Sequence, residues 1–353
     1  MRKIHLAAIA AAPLAIASAQ ADEITSALDH APIGVMGDHV HAKGEWMFSY
    51  RAMVMQMEGN RNGTDSISSD EIVTTVPNRF GMPPTLRVVP EDMQMVMHMV
   101  GAMYAPTDNL TLMVMGNYIT KEMDHVTYQG MMGTTELGEF TTETSGFGDT
   151  SVTALYRFWK KEHAQLHAGL GVSLPTGSVD ETDRILTPMN TTPSPRLPYP
   201  MQLGSGTYDL KPSLTFTNKT HDARFGSGVQ YEGVIRTGEN DEGYSLGDRH
   251  QLTAWGAWSP DPSWSFSLRG TARTVGEIDG IDPMIAAPVQ TADPDNQGGD
   301  TFEIGAGVNF LVIGGALDGH RLAAEIELPV YRDLNGPQLE TDWTLTLGWQ
   351  KAF

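Results

Sequence analysis

Methionine occupies every second position of MQMVMHMVGAM, residues 93 to 103, placing Met93, Met95, Met97 and Met99 in one register with Met103. The same spacing recurs at Met53, Met55 and Met57 and again at Met113 and Met115. The chain holds twenty methionines and no cysteine, so its sulfur is all thioether. Thioethers are soft donors that select ions such as Cu(I). They are also flexible, polarizable contacts that adapt to varied apolar ligands. Upstream, ALDHAPIGVMGDHVHAKG contributes His30, Met36, His39 and His41. The i, i+2 spacing of His39 and His41 suits a metal, but two histidines without a third fixed ligand are a weak signature. Which chemistry applies depends on where these side chains point.

The elements that must position them are strands. From residue 44 onward, apolar and polar residues alternate with period 2, and no useful window carries a period of 3.6. Twelve strands are expected, at about 44–57, 92–104, 109–121, 148–159, 164–174, 206–217, 224–236, 249–259, 263–273, 300–312, 320–331 and 342–353. Connections between them alternate between short and long, as in an outer-membrane barrel with short periplasmic turns and long extracellular loops. The expected fold is therefore all-β, a single transmembrane antiparallel β-barrel over 44–353.

Two segments precede it. MRKIHLAAIAAAPLAIASAQA sets Arg2 and Lys3 before an apolar run and a small-residue site, which reads as a signal peptide over 1–21. Its loss takes the formal charge from −20 to about −22, which argues against nucleic acid as a partner. Residues 22–43 are too rich in Gly and polar groups for a strand, and form either a periplasmic tail or a plug in the lumen.

Alternation assigns the faces. In the first strand Trp46, Phe48 and Tyr50 oppose Met47, Ser49, Arg51, Met53, Met55 and Met57. Arg or Lys on the lipid face near the midplane costs about 2–4 kcal/mol, so Arg51 turns the methionine face inward. In the third strand Met113 and Met115 share a face with Lys121. An inward sector of ten thioethers beside Arg51 is then expected, with His98 left on the opposite, lipid-facing side as the discordant residue. The sector serves adaptable contact with an apolar solute, binding of copper or silver with help from Met36, His39 and His41, or simple filling of the lumen. Charged residues such as Arg269, Arg273, Glu303, Glu325 and Glu327 brace the interior by pairing. The loop 175–205 is an extracellular loop or an inward constriction.

The segments HAPIGVMGDHVHAKGEWMFSYR, GFGDTSVTALYRF, GVSLPTGS, QLGSGTYDLKPSL and VYRDLNGPQLETDWTLTLGW resemble those of the outer-membrane transporter family named for the meta-pathway of phenol degradation. The resemblance implies a Gram-negative outer-membrane barrel passing small, often hydrophobic molecules, and supplies no catalytic residues. The expected function is a passive channel for a hydrophobic or aromatic solute. A soft-metal binding or export barrel and a structural or surface-interaction barrel are the alternatives. Expected partners are outer-membrane lipids, the solute, and the barrel-insertion machinery, which reads a terminal aromatic such as Phe353. No cofactor is expected. Nor is catalysis, because His250 and Ser259 lack a nucleophile-elbow pattern and the GSG at Gly204 lacks a matched base.

Overall fold

The computed structural model describes residues 26–353; the expected signal peptide lies outside the described residues. In chain order the strands are β1 (Trp46–Gly63), β2 (Asp65–Ile67), β3 (Val88–Thr107), β4 (Leu110–Tyr128), β5 (Glu136–Phe147), β6 (Thr150–Lys161), β7 (Ala164–Leu174) and β8 (Asp209–Lys219). They continue as β9 (Phe225–Arg236), β10 (Tyr244–Ser245), β11 (Arg249–Asp261), β12 (Trp264–Val275), β13 (Asp279–Gly280), β14 (Gly299–Leu311) and β15 (His320–Ala352). Eleven of these close an antiparallel barrel, with β15 pairing back onto β1; β2 and β5 attach to the sheet outside that path, and β10 pairs β13 separately. Closure removes the unpaired edges that a membrane would not tolerate.

The expected strands 320–331 and 342–353 are the two limbs of β15, which counts once among the eleven but crosses the wall twice. β15 pairs β14 through Arg321–Leu334 and β1 through Leu334–Ala352. It doubles back at Asn335-Gly336, where Gly336 has φ 69°, a conformation costly for any residue with a Cβ. Its two limbs are tied by Arg332 Nε to the Thr341 carbonyl (3.1 Å) and by Trp349 Nε1 to His320 Nδ1 (2.9 Å). The polar run RDLNGPQLET reads as a loop in sequence, but strand pairing continues up to the tight turn at Asn335-Gly336 from both sides.

Residues 122–147, expected as a loop, are another correction. β4 runs on to Tyr128 and β5 lies along its second half, from Tyr118↔Phe147 to Tyr128↔Glu136. The first half of β4 pairs β6 instead, from Leu110↔Tyr156 to Met115↔Ser151. A short helix, α1 (Ser69–Thr75), stands between β2 and β3, in a connection whose sequence shows no helical period. Ser68 caps it by accepting from the Glu71 amide, with Asp70 and Glu71 in the first turn, where carboxylates favour the helix dipole.

Side-chain alternation follows the pleat. Val100, Leu170, Leu252, Leu268 and Val330 stand exposed on the outer face, each more than half accessible. An apolar belt spread over five strands is costly in water and stable in lipid. Inward positions are polar or sulfur-bearing. Arg269 Nη2 meets Glu325 Oε1 at 2.5 Å and Glu327 Oε2 at 3.0 Å, and Arg273 meets Glu303 through two bonds of 3.1 and 3.2 Å. These pairings offset the burial of the charges they join.

Residues 26–45 lie inside the end of the barrel that carries the short turns. Ala27 N donates to Pro262 O, and Lys43 N to Asp108 Oδ1. Most of this segment is buried, Ile33 to 1% exposure. Its irregular backbone cannot pair in a sheet, so inward side chains satisfy it. The Ala27, Ala31, Met36 and Gly37 carbonyls accept from Ser265, Arg321, Gln230 and His167 respectively.

Candidate functional site

The methionines of β1, β3 and β4 form one inward wall. Pairing of β1 with β3 is in unbroken register from Trp46↔Tyr104 to Glu58↔Asp92, which sets Met53 against Met97, Met55 against Met95 and Met57 against Met93. On the other side of β3, Met103 faces Met113 and Met93 faces Met123. Met93, Met99, Met103 and Met115 are buried on this face, whereas Val100 of the alternate face is 61% exposed. Arg51, buried beside them, is paired in register with Met99.

His98 is on the outer face, and its contact there resolves the discord. Tyr50 Oη and His98 Nδ1 are 2.7 Å apart with their rings stacked. The outward imidazole thus has a polar partner inside the apolar belt. His250 repeats the device with Tyr231, at 2.8 Å. Ser259 sits on the inward face of the same strand, donating to the Asp261 and Trp264 carbonyls. His250 and Ser259 therefore stand on opposite faces and are not a catalytic pair.

Both ends of the wall are covered. At the short-turn end, Val40 of the inner segment packs with Met47, Met103 and Leu155. At the long-loop end, Leu197 and Met201 of the 175–205 loop pack with Met93 and Met123, flanked by Met57 and Ile185. The loop is drawn inward by Lys121, whose Nζ donates to the Pro200 and Gln202 carbonyls (2.7 and 2.5 Å), and by Thr144 Oγ1 to the Met201 carbonyl (2.9 Å). Asp149 fixes its two ends, accepting from Gly177 N at 3.0 Å and from Ser205 N at 2.8 Å.

Above this cover lies a cavity of about 260 Å³ between the 175–205 and 276–298 loops, lined by Val88, Phe140, Ile185, Leu197, Pro288 and Val289 among others. It is apolar, with His125 stacked on Phe140 at 4.7 Å in its wall. Ile185 and Leu197 belong both to this cavity and to the cluster that meets the methionines. Ile185 and Leu197 therefore lie between the cavity and the upper end of the sulfur wall and touch both.

The histidines of the inner segment also come together. Ring centroids are 4.9 Å apart for His30–His39 and 4.6 Å for His39–His41. Asp38 Oδ1 meets His39 Nδ1 at 2.9 Å, and Glu45 Oε2 meets His41 Nδ1 at 3.2 Å. Burial, together with the Arg321 charge, holds His30 well below the ordinary imidazole value; burial lowers His41 too, against its bond to Glu45. Burial alone would raise Asp38, but the His39 beside it holds the carboxyl well below the usual range. Met36 contributes its carbonyl, which accepts from Gln230.

Of the inward sulfurs, Met47 has its face assigned correctly by the sequence but is not counted in the sector of ten, and Met123 is missed, although it lies on the methionine parity of its strand. Leu197, Met201 and Ile185 could not be found by parity, because they come from a loop.

The fold and the apolar belt define an outer-membrane β-barrel, located in the outer membrane of a Gram-negative bacterium. The chain belongs to the family described as "Putative MetA-pathway of phenol degradation", whose model matches residues 78–320. Among solved structures, an outer membrane channel from Pseudomonas putida F1 has a TM-score of 0.59 at 14% identity, covering 90% of this chain and 99% of that one. A FadL homologue from Pseudomonas aeruginosa (TM-score 0.44, 8% identity, 87% and 90% coverage) and a TodX monoaromatic hydrocarbon channel variant (0.46, 8%, 88% and 91%) are more distant. At such identities the likeness is one of fold. No curated protein matches the chain.

Proposed function

We propose that this barrel is a passive outer-membrane channel for a small hydrophobic or aromatic solute. The observation that carries the reading is the continuity between the apolar cavity and the methionine wall through Ile185 and Leu197. A solute entering from the long-loop side meets an apolar pocket with a few polar groups, the usual form of a small-molecule site. Below it, Met55 with Met95 and then Met53 with Met97 offer successive contacts that reshape around different molecules. The description of the family, which points to phenol degradation, agrees with an aromatic solute.

In this reading the long loops face outward and the short turns face the periplasm. The inner segment is then a plug at the periplasmic end. The belt of β-strand side chains contacts outer-membrane lipid, and Phe353, paired with Trp46 through two backbone bonds, presents the terminal aromatic to the insertion machinery. Both the loop cover and the plug must shift for passage. The test is uptake of a labelled monoaromatic by intact cells whose lipopolysaccharide layer blocks direct permeation. Cells expressing the chain should take it up faster than cells lacking it, and a charged sugar acid of similar size should show no such gain. Equal aromatic uptake with and without the chain would overturn the proposal.

A further inference from the structure

We propose that the inner segment carries a binding site for a borderline divalent cation such as Zn²⁺, built from the imidazoles of His30, His39 and His41, two of them oriented by the carboxylates of Asp38 and Glu45. One ligand atom from each of His30, Asp38 and His39 lies within 4.8 Å of the other two. With Zn–N bonds of about 2.0–2.1 Å, two imidazoles sharing a tetrahedral ion have ring centroids roughly 5 Å apart. The observed separations, 4.9 and 4.6 Å, match that arrangement before any ion is added.

The nitrogens themselves point to a ligand. His30 Nδ1, His39 Nε2 and His41 Nε2 are buried without a hydrogen-bond partner in the protein, and His30 as a residue is only 4% exposed. A buried, unpaired polar atom costs about 1–3 kcal/mol, and here three occur on neighbouring rings. The opposite nitrogens of two of these rings are held by carboxylates, His39 Nδ1 by Asp38 and His41 Nδ1 by Glu45. Metal-ligating histidines are oriented in the same way, by an outer carboxylate that fixes the tautomer and leaves the other nitrogen to the ion. The donors are imidazole nitrogens, so they suit Zn²⁺ rather than the Cu(I) that thioethers select. Arg321, which donates to the Ala31 carbonyl, opposes a cation here, while Asp38 and Glu45 favour it.

The three imidazoles and both orienting carboxylates come from 26–45 and none from the barrel wall. An ion would therefore close the chain between residues 30 and 41 on itself and stiffen the inner segment where it stands. His30, His39 and His41 also line a cavity of about 410 Å³ at the short-turn end, which gives the ion a route in.

The test is a Zn²⁺ titration of the full mature chain in detergent micelles by calorimetry, with the visible bands of Co²⁺ as a geometric readout. One saturable ion per chain and a tetrahedral Co²⁺ spectrum are expected. His39→Asn should abolish the spectrum, and Glu45→Gln should weaken affinity about 10–100-fold, as loss of an orienting carboxylate does. His163 and His221, whose rings lie 5.1 Å apart at the same cavity, supply the control. The double variant His163→Asn/His221→Asn should bind as the parent does. Heat-modifiable mobility on gels checks that each variant has closed its barrel. Absence of saturable binding by the folded parent would overturn the proposal, as would binding that survives His39→Asn in a folded barrel or is lost only in the His163/His221 variant.

Discussion

Lys121 Nζ lies 2.5 Å from the Gln202 carbonyl, so a cation on a wall strand holds a loop 81 residues further along the chain inside the barrel. A second bond, to the Pro200 carbonyl, completes the clasp. Hydrogen bonds to charged groups contribute about 1.5–3 kcal/mol. Lys121→Met removes both and leaves the buried Gln202 carbonyl and the half-buried Pro200 carbonyl without this donor. Opening of the 197–203 segment should become roughly 10- to 100-fold more frequent, read as faster amide exchange there, and aromatic uptake should rise with it. Unchanged exchange at Leu197 and Met201 would show that Asp149 and Thr144 suffice.

Arg269 bridges Glu325 and Glu327 within the lumen. Breaking a buried pair by deleting one partner costs about 3–5 kcal/mol, because the remaining charge is uncompensated. Arg269→Met should therefore lower stability against urea in lipid vesicles by that order, and adding Glu325→Gln and Glu327→Gln should recover most of the loss. If the triple variant is no better than the single one, packing rather than charge explains the effect.

Much of the wall was legible because two signals agree in it. Period 2 gave the strands, and one cation, Arg51, gave the methionine face its direction. His98 seemed to contradict that direction only because Tyr50, its partner, lies on another strand 48 residues away. β5 was hidden because GEFTTETS is polar at nearly every position, so no face stands out. The inward fold of 175–205 rests on Lys121, Thr144 and Asp149, and no local pattern announces contacts of that range. The inner segment was readable as a tail or a plug and no further, since its backbone is satisfied by side chains from widely separated strands.

Tyr199 and Tyr244 stack edge-to-face at 4.9 Å beneath the long loops, and burial raises the pKa of both phenols. An unfolded tyrosine ionises near pH 10. Their contribution to loop stability is therefore complete below about pH 10 and lost as pH rises from there through the higher folded values. Protease nicking of the 276–298 loop should accelerate above pH 10 and not below it. Tyr244→Phe should remove part of this alkaline dependence; a variant that keeps the parent's full profile would sink the assignment.

The methionine wall makes the sharpest claim about the solute. Met55 faces Met95 and Met53 faces Met97, midway between the plug and the loop cover. Replacing Met55 and Met95 by Ser keeps the strands and their inward parity but removes apolar contact, which for a fully buried methionine is worth about 1.5–3 kcal/mol. A solute that touches each of them over part of its surface should lose on the order of tenfold in saturable uptake, while barrel stability changes little. Leu268→Ser and Val330→Ser, which alter only the lipid-facing belt, should leave uptake where it was. Should the outward pair reduce aromatic uptake as much as the inward pair, the solute does not travel along the sulfur face.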